Sequence, residues 1–280
     1  MRDFERVEQR IVEDMTLDQI FSKAKKIIRK EEIKPADFKD LYGEKNVKKD
    51  EIYVKEMEER FEKELENEQR KPDRLAKIFE AMIYQHGELS EWFGNFAFMI
   101  KSSRYDDIKN GVHNIIEFQK EEHLASYLAL AVDATFGTNT QNKFEKIKNE
   151  IDNGELAKVK YFYSDTLGIR GELRYLPRVV IGAEAKTVKE LGELWIHGKN
   201  KELGNHPIQF QMLEEILIQA RAFAKYSQEQ EKINIAEIYK RTAGIIEEIY
   251  REKKKNLKDD GERDNVFHCI KYIAESFSKE

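Results

Sequence analysis

SYLALAVDATFGTNTQ, residues 126–141, opens with an apolar run at 128–132 and places a carboxylate, Asp133, directly after it. A run of that length, followed by turn-forming residues, reads as a strand buried on both faces. Thr135 falls on the same face as Asp133 by strand alternation. An ionised carboxylate at the end of so apolar a strand is costly unless it is paired, hydrogen-bonded or bound to a cation. Asp133 therefore either caps the following turn, accepting from the amides of Gly137, Thr138 or Asn139, or belongs to a site.

Working outward, the turn signal Lys109-Asn110-Gly111 precedes an alternating stretch, so 105–109 and 112–119 are expected as a hairpin that joins 127–135 in one sheet. Phe144, Ile147 and Ile151 define an amphipathic helix over about 141–153, with Gly154 as its stop. AKVKYFYS and PRVVIGA read as strands, the first at 158–164, and KTVKELGELWIHG as a helix. Upstream, Pro72-Asp73 opens a helix whose apolar face runs through Leu75, Ile78, Phe79, Met82 and Ile83; Gly87 is a possible break, and a second helical run continues from Trp92 to Ile100. Residues 1–71 read as charged helices, and 207–280 as helices over 208–227, 235–255 and 264–278. The broad apolar face of FQMLEEILIQARAFAKY needs a cover and is expected to pack on the central sheet. The expectation is an α/β (α+β) fold: a mixed sheet of about five strands within 72–206, flanked by an N-terminal helical region, 1–71, and a C-terminal one, 207–280.

The chain has 280 residues, 40% of them hydrophobic and 37% charged, enough apolar mass for a core. Its net charge of −5 gives no global pull toward nucleic acid or anionic membranes, although a local basic groove is compatible with it. The single cysteine, Cys269, makes no internal disulfide or zinc knuckle and points to a reducing compartment. The first residues, MRDFERVEQR, lack an apolar leader core, and no segment approaches 18 apolar residues, so a soluble, cytoplasmic chain with no membrane partner is expected.

Several candidate ligands lie in the central region. Asp106 and Asp107 precede the Lys-Asn-Gly turn, Asp107 being nearer to it. His113 and Glu117 share a strand face with Ile115 between them. Glu80 and Glu91 are 11 residues apart, about three helical turns, and share a face only if the helix runs unbroken through Gly87. Oxygen ligands with one imidazole, on adjacent strands beside a helix, suit a divalent cation. Mg²⁺ takes one or two carboxylates together with waters and phosphate oxygens, and can activate water against a phosphoryl group. Each residue also has an ordinary reading: a solvated loop for Asp106 and Asp107, a hydrogen-bonded strand histidine for His113, surface helix charges for Glu80 and Glu91.

The order of helix with Glu, strand hairpin, strand ending in an acid, helix and strand resembles the PD-(D/E)XK nuclease superfamily over about 73–180. The resemblance implies a restriction-endonuclease-like order of strands and Mg²⁺-dependent hydrolysis of DNA. It places His113 where the family has its first acid and Asp133-Ala134-Thr135 at the acid-x-lysine position, with Glu80 or Glu91 as the helical Glu. Asp133 would be the principal metal ligand, assisted by His113 or Asp107. This chain departs from the pattern twice: His113 is not an acid, and Thr135 is not a lysine. Lys143, at the start of the next helix, stands where members of the superfamily are known to move that lysine.

Two functions follow. One is a Mg²⁺-dependent nuclease. The other is a non-catalytic interaction or nucleic-acid-binding module that keeps the fold and docks a protein partner through its helical flanks. Lys158, Lys160, Arg170, Arg174 and Arg178 form either a basic rim for a phosphate backbone or an ordinary charged surface.

Overall fold

The computed structural model describes residues 2–64, 70–121, 124–133 and 138–277. The apolar part of the quoted stretch is a strand: β3 spans Leu124–Asp133, the last two residues of the expected strand, 134 and 135, lie outside the described residues, and 138–141 already belong to the next helix. It lies between β2 (Asn114–Glu121), with which it pairs antiparallel, and β6 (Arg178–Gly182), with which it pairs in parallel. Beyond β2 lies β1 (Ala97–Lys101), antiparallel to it, so the main sheet runs β1-β2-β3-β6. A separate antiparallel pair, β4 (Ala157–Ser164) and β5 (Ile169–Leu176), makes a second sheet. The expected single sheet of about five strands is thus four strands plus a two-stranded layer.

Both faces of β3 are covered, which accounts for its continuous apolar composition. Leu128 and Leu130 pack with Ile78, Phe79 and Met82 of α4 (Arg70–Leu89). Ala129, on the other face, packs with Ala157, Val159 and Phe162 of β4. In chain order α4 precedes β1, and α5 (Arg104–Asn110) lies between β1 and β2. After β3 comes α6 (Thr138–Asp152), and β6 is followed by α7 (Ala185–Ile196) and α8 (Asn200–Gly204). The N-terminal region is α1 (Arg2–Glu31), a 3₁₀ turn at Pro35–Phe38, α2 (Lys39–Tyr42) and α3 (Glu44–Glu64). The C-terminal region is α9 (Ile208–Glu229), α10 (Ile233–Asn256) and α11 (Asn265–Ser276).

Two local expectations are corrected. Residues 105–109 are helical, not a strand. Ser103 caps α5 by accepting from the Asp106 amide at 3.0 Å, and Gly111 ends it in the left-handed region at φ 67°. The first strand is instead 97–101, within a run expected as helix. Helix α4 continues through Gly87 and stops at Leu89. Gly87 does not break it but admits β1: a Cβ there would lie 2.5 Å from Met99 Cγ. Trp92 and Phe93 are buried in the turn that follows, where the Trp92 indole N–H donates to the Leu203 carbonyl at 3.0 Å.

Strand β6 is an edge strand, and its outward backbone groups are met by side chains. Gln219 accepts from the Val180 amide at 2.8 Å and donates to its carbonyl at 2.6 Å. Glu215 accepts from the Gly182 amide at 2.9 Å, and Gln211 donates to the Gly182 carbonyl at 3.1 Å. The Tyr239 hydroxyl serves the amide and carbonyl of Arg178, and Asp264 accepts from the Glu184 amide at 2.7 Å. The match has a simple geometry. Four residues of helix rise about 6 Å, and two residues of strand advance about 6.6 Å. Side chains four apart on α9 therefore meet alternate residues of β6. Ile216 and Phe223, also on α9, complete the packing of this C-terminal region on the sheet.

Gln219→Leu should strand both the amide and the carbonyl of Val180, at about 1–3 kcal/mol for each buried orphan. Urea unfolding should register a loss of at least about 2 kcal/mol, and a change under 0.5 kcal/mol would contradict the tether. A second expectation concerns pH. His86 is buried against Trp92, and burial lowers its pKa to about 4. Because the folded value lies below the unfolded one, the fold is most stable above the unfolded pKa and loses stability as pH falls toward 4. At pH 5 the loss is roughly 2 kcal/mol. His86→Phe should flatten the dependence of stability between pH 7 and 5; an unchanged slope would assign it to other groups.

Candidate functional site

One end of the main sheet gathers the ionisable groups. β1 ends there at Lys101, opposite Asn114 at the start of β2, and β3 and β6 end there with Asp133 opposite Gly182. Helix α4 brings Glu80 to this end, and α5 brings Arg104 and Asp107.

Glu80 and Lys101 form an ion pair of 2.8 Å with side chains only 8% and 2% exposed. The Lys101 ammonium also donates to the His113 carbonyl, and Asn114 donates to the Glu80 carbonyl at 3.2 Å. These bonds fix α4, β1 and the start of β2 to one another. Beside them, Asp107 is paired with Arg104, and its Oδ1 lies 3.3 Å from His113 Nε2. Arg104 in turn donates to Glu58 of α3 at 2.7 Å.

Burial depresses the pKa of His113; Asp107 and Glu80 push it back up, while Lys143 and Lys101 lower it further. The imidazole is therefore neutral at neutral pH. Burial alone would raise the pKa of Asp107, but His113, Arg104 and Lys101 outweigh it and lower it. With His113 neutral, the guanidinium of Arg104 is the cation that holds this carboxylate ionised. Lys77, on α4, is lowered by burial and then by Arg104. The cluster thus sets four cations, Lys77, Lys101, Arg104 and Lys143, against three carboxylates, Glu58, Glu80 and Asp107. Its described side chains are net positive.

Of the residues expected at a site, Glu80, Asp107 and His113 are brought together, with Lys143 in electrostatic reach of His113. Asp133 closes β3 at the same end, but its side chain lies outside the described residues, as does all of Thr135. Glu91 is not part of the cluster. It sits past the end of α4 in an exposed turn at φ 49°, near Lys253. Asp106 is a tether: its carboxylate accepts from the amides of Lys160 at 2.7 Å and Tyr161 at 3.0 Å, which binds α5 to β4. Glu117 lies four residues beyond His113, roughly 13 Å along the strand. It is buried opposite Tyr127.

The expected basic rim is largely spoken for. Arg170 makes two bonds to Asp40, at 2.6 and 2.7 Å; Arg174 bonds Glu172; and Arg178 is buried against Glu150. Lys77, Lys101 and Arg104 were not singled out in the sequence. Only the fold reveals them, because a lone Lys or Arg on a charged helix or at a strand end carries no local signal.

Two cis ligands about 2.1–2.3 Å from a shared cation lie about 3 Å apart. The 3.3 Å between Asp107 Oδ1 and His113 Nε2 fits that spacing. Among the described residues no third His, Cys, Asp or Glu joins them. The pair therefore suits two positions of a largely hydrated divalent ion. No helix among the described residues is long and apolar enough to cross a membrane.

No protein-family model matches the chain, and no curated protein or solved structure matches it.

Lys101→Met would leave Glu80 buried without its cation, a change that costs about 3–5 kcal/mol. Adding Glu80→Gln should recover at least half of the lost stability in the double variant. A single variant as stable as the parent would show that the pair does not hold the sheet end together.

Proposed function

We propose that the chain is a divergent metal-dependent nuclease of the PD-(D/E)XK type, hydrolysing phosphodiester bonds in DNA. One observation carries the reading: Glu80, Asp107 and His113 meet Lys101, Arg104 and Lys143 at the sheet end where β3 closes with Asp133. The order α4, β1, β2, β3, α6, β6, with β6 parallel to β3, supports it, with α5 inserted between β1 and β2 and the separate β4–β5 pair between α6 and β6.

Asp107, His113 and Asp133 are the residues that would hold a divalent ion. When bound, such an ion lowers the pKa of a water and offsets charge on the phosphoryl group. Imidazole is a poorer partner for Mg²⁺ than oxygen, so Mn²⁺ is a natural companion test. Asp107 fixes the His113 ring, and Glu80 fixes Lys101 beside it. Lys143 takes the part of the family's lysine, and with Lys77 and Arg104 it draws the phosphodiester to the site.

A second reading, a non-catalytic nucleic-acid-binding module, is favoured by the pairing itself. Glu80 and Asp107 already have cations in Lys101 and Arg104, so neither needs a metal for neutralisation.

Incubation of the purified chain with plasmid and single-stranded DNA, with Mg²⁺ or Mn²⁺, separates the two. The nuclease reading expects cleavage that EDTA stops and that falls at least 100-fold in Asp107→Asn and in Asp133→Asn. DNA binding without cleavage in either metal would refute it and leave the binding module.

A further inference from the structure

A cavity of about 330 Å³ opens between α3, α5 and β4, on the side of α5 that the cluster does not use. Its lining combines aromatic rings with ammonium groups. Tyr53 and Tyr105 meet edge to face, with ring centroids 5.9 Å apart. The Lys160 ammonium lies 5.1–5.5 Å from the rings of Tyr42, Tyr105 and Tyr161, and its charge is met by Asp50. Lys49 and Lys109 are different. Both are exposed, and neither is ion-paired among the described residues. Lys109 lies 5.2 Å over the Tyr53 ring. The mouth of the cavity is therefore positive and its walls are aromatic.

We propose that this cavity binds one nucleotide unit of a single-stranded nucleic acid, its phosphate between Lys49 and Lys109 and its base against Tyr53 and Tyr105. Aromatic faces accept any base, and paired lysines track a phosphate without reading sequence. The volume is at the lower end of the range for small-molecule sites, enough for one nucleotide and not for a duplex.

The cavity also has a direct relation to the cluster. Tyr105 and Lys109 interleave on α5 with Arg104 and Asp107, within about one and a half helical turns. A strand anchored by one nucleotide in the cavity would present a neighbouring phosphodiester to Asp107 and His113. That orientation rests on the nuclease reading; binding in the cavity does not.

The test measures binding of a fluorescently labelled ten-nucleotide oligothymidylate to the full chain by anisotropy, in EDTA, from 50 to 200 mM salt. Thymidine monophosphate, measured by calorimetry, is the second probe and distinguishes a strand from a free nucleotide. Lys49→Ala/Lys109→Ala should weaken binding at least tenfold and reduce the salt slope by about 0.7, for the one phosphate the two lysines share. Tyr53→Leu should weaken it by at least fivefold with the slope kept. The exposed pair Lys199→Ala/Lys201→Ala should leave binding unchanged, and equal melting temperatures exclude misfolding of the lysine variants. Oligothymidylate binding that is lost in the cavity variants supports the proposal, and binding of thymidine monophosphate alone overturns it in favour of a free-nucleotide site. Failure of both probes to bind, or a change within twofold in Lys49→Ala/Lys109→Ala, overturns it. Because binding is read in EDTA, absence of cleavage in the separate Mg²⁺ and Mn²⁺ assay with this binding intact counts against the nuclease reading alone.

Discussion

The fold depends on how the free edge of β6 is closed. Parallel strands buried on both faces need every backbone group satisfied, and a four-stranded sheet leaves one row of amides and carbonyls exposed at this edge. Gln219, Glu215 and Gln211 of α9, Tyr239 of α10 and Asp264 at the cap of α11 supply that row. They stand in for a fifth strand. The substitution has an electrostatic consequence: burial raises the pKa of Glu215 well above the usual carboxylate range. Its two oxygens accept from the Gly182 amide and from Gln211. Gly182 is also the partner of Asp133, so the C-terminal helices reach the end of β3 through a single residue.

From this closure the candidate site follows. With β6 fixed, β3 and β6 end together, β1 and β2 meet at the same level, and the loops there must hold ionisable groups out of water. The chain resolves this by pairing. Glu80 with Lys101 and Asp107 with Arg104 are each half of a buried or largely buried pair, and His113 stays neutral between them. Among the described side chains of the cluster, Lys77, Lys101, Arg104 and Lys143 face Glu58, Glu80 and Asp107. Helix α5 links it to the tyrosine and lysine cavity. Arg104 and Asp107 of this helix belong to the cluster, Tyr105 and Lys109 line the cavity, and Asp106 ties the helix to β4.

How much of this could be read in the sequence varied with what holds each element. Strand β3 was legible because burial on both faces leaves an unbroken apolar run. Helices α6, α9, α10 and α11 were legible from apolar spacing, with Gly154 as the stop after α6. Strand β1 was not, since five residues beside Trp92 and Phe93 fit a helical pattern as well, and only the approach of Met99 to Gly87 decides it. Helix α5 did carry a signal, Ser103 three residues before Asp106 and Gly111 at the end, which the turn reading of Lys109-Asn110-Gly111 overrode. The polar residues 211, 215 and 219, four apart on an otherwise apolar helix, also marked a buried polar edge. At the site, His113, Asp107 and Glu80 were within reach of sequence reasoning. Lys101 was not, because its partner Glu80 comes from another element, and Arg104 was not, because its pairing with Asp107 three residues on needs a helix where a strand was expected.

The central claim is that the sheet end is a cation- and phosphate-binding site built on Asp107 and His113. Titration of the ¹⁵N-labelled protein with Mn²⁺, followed by amide line broadening, tests it most directly, because the paramagnetic ion reports its own position. The account predicts that broadening begins at the amides of Asp107, His113 and the last residues of β3, and that His113→Ala weakens it. Broadening confined to acidic surface helices such as α3, with His113 and Asp133 unaffected, would contradict it.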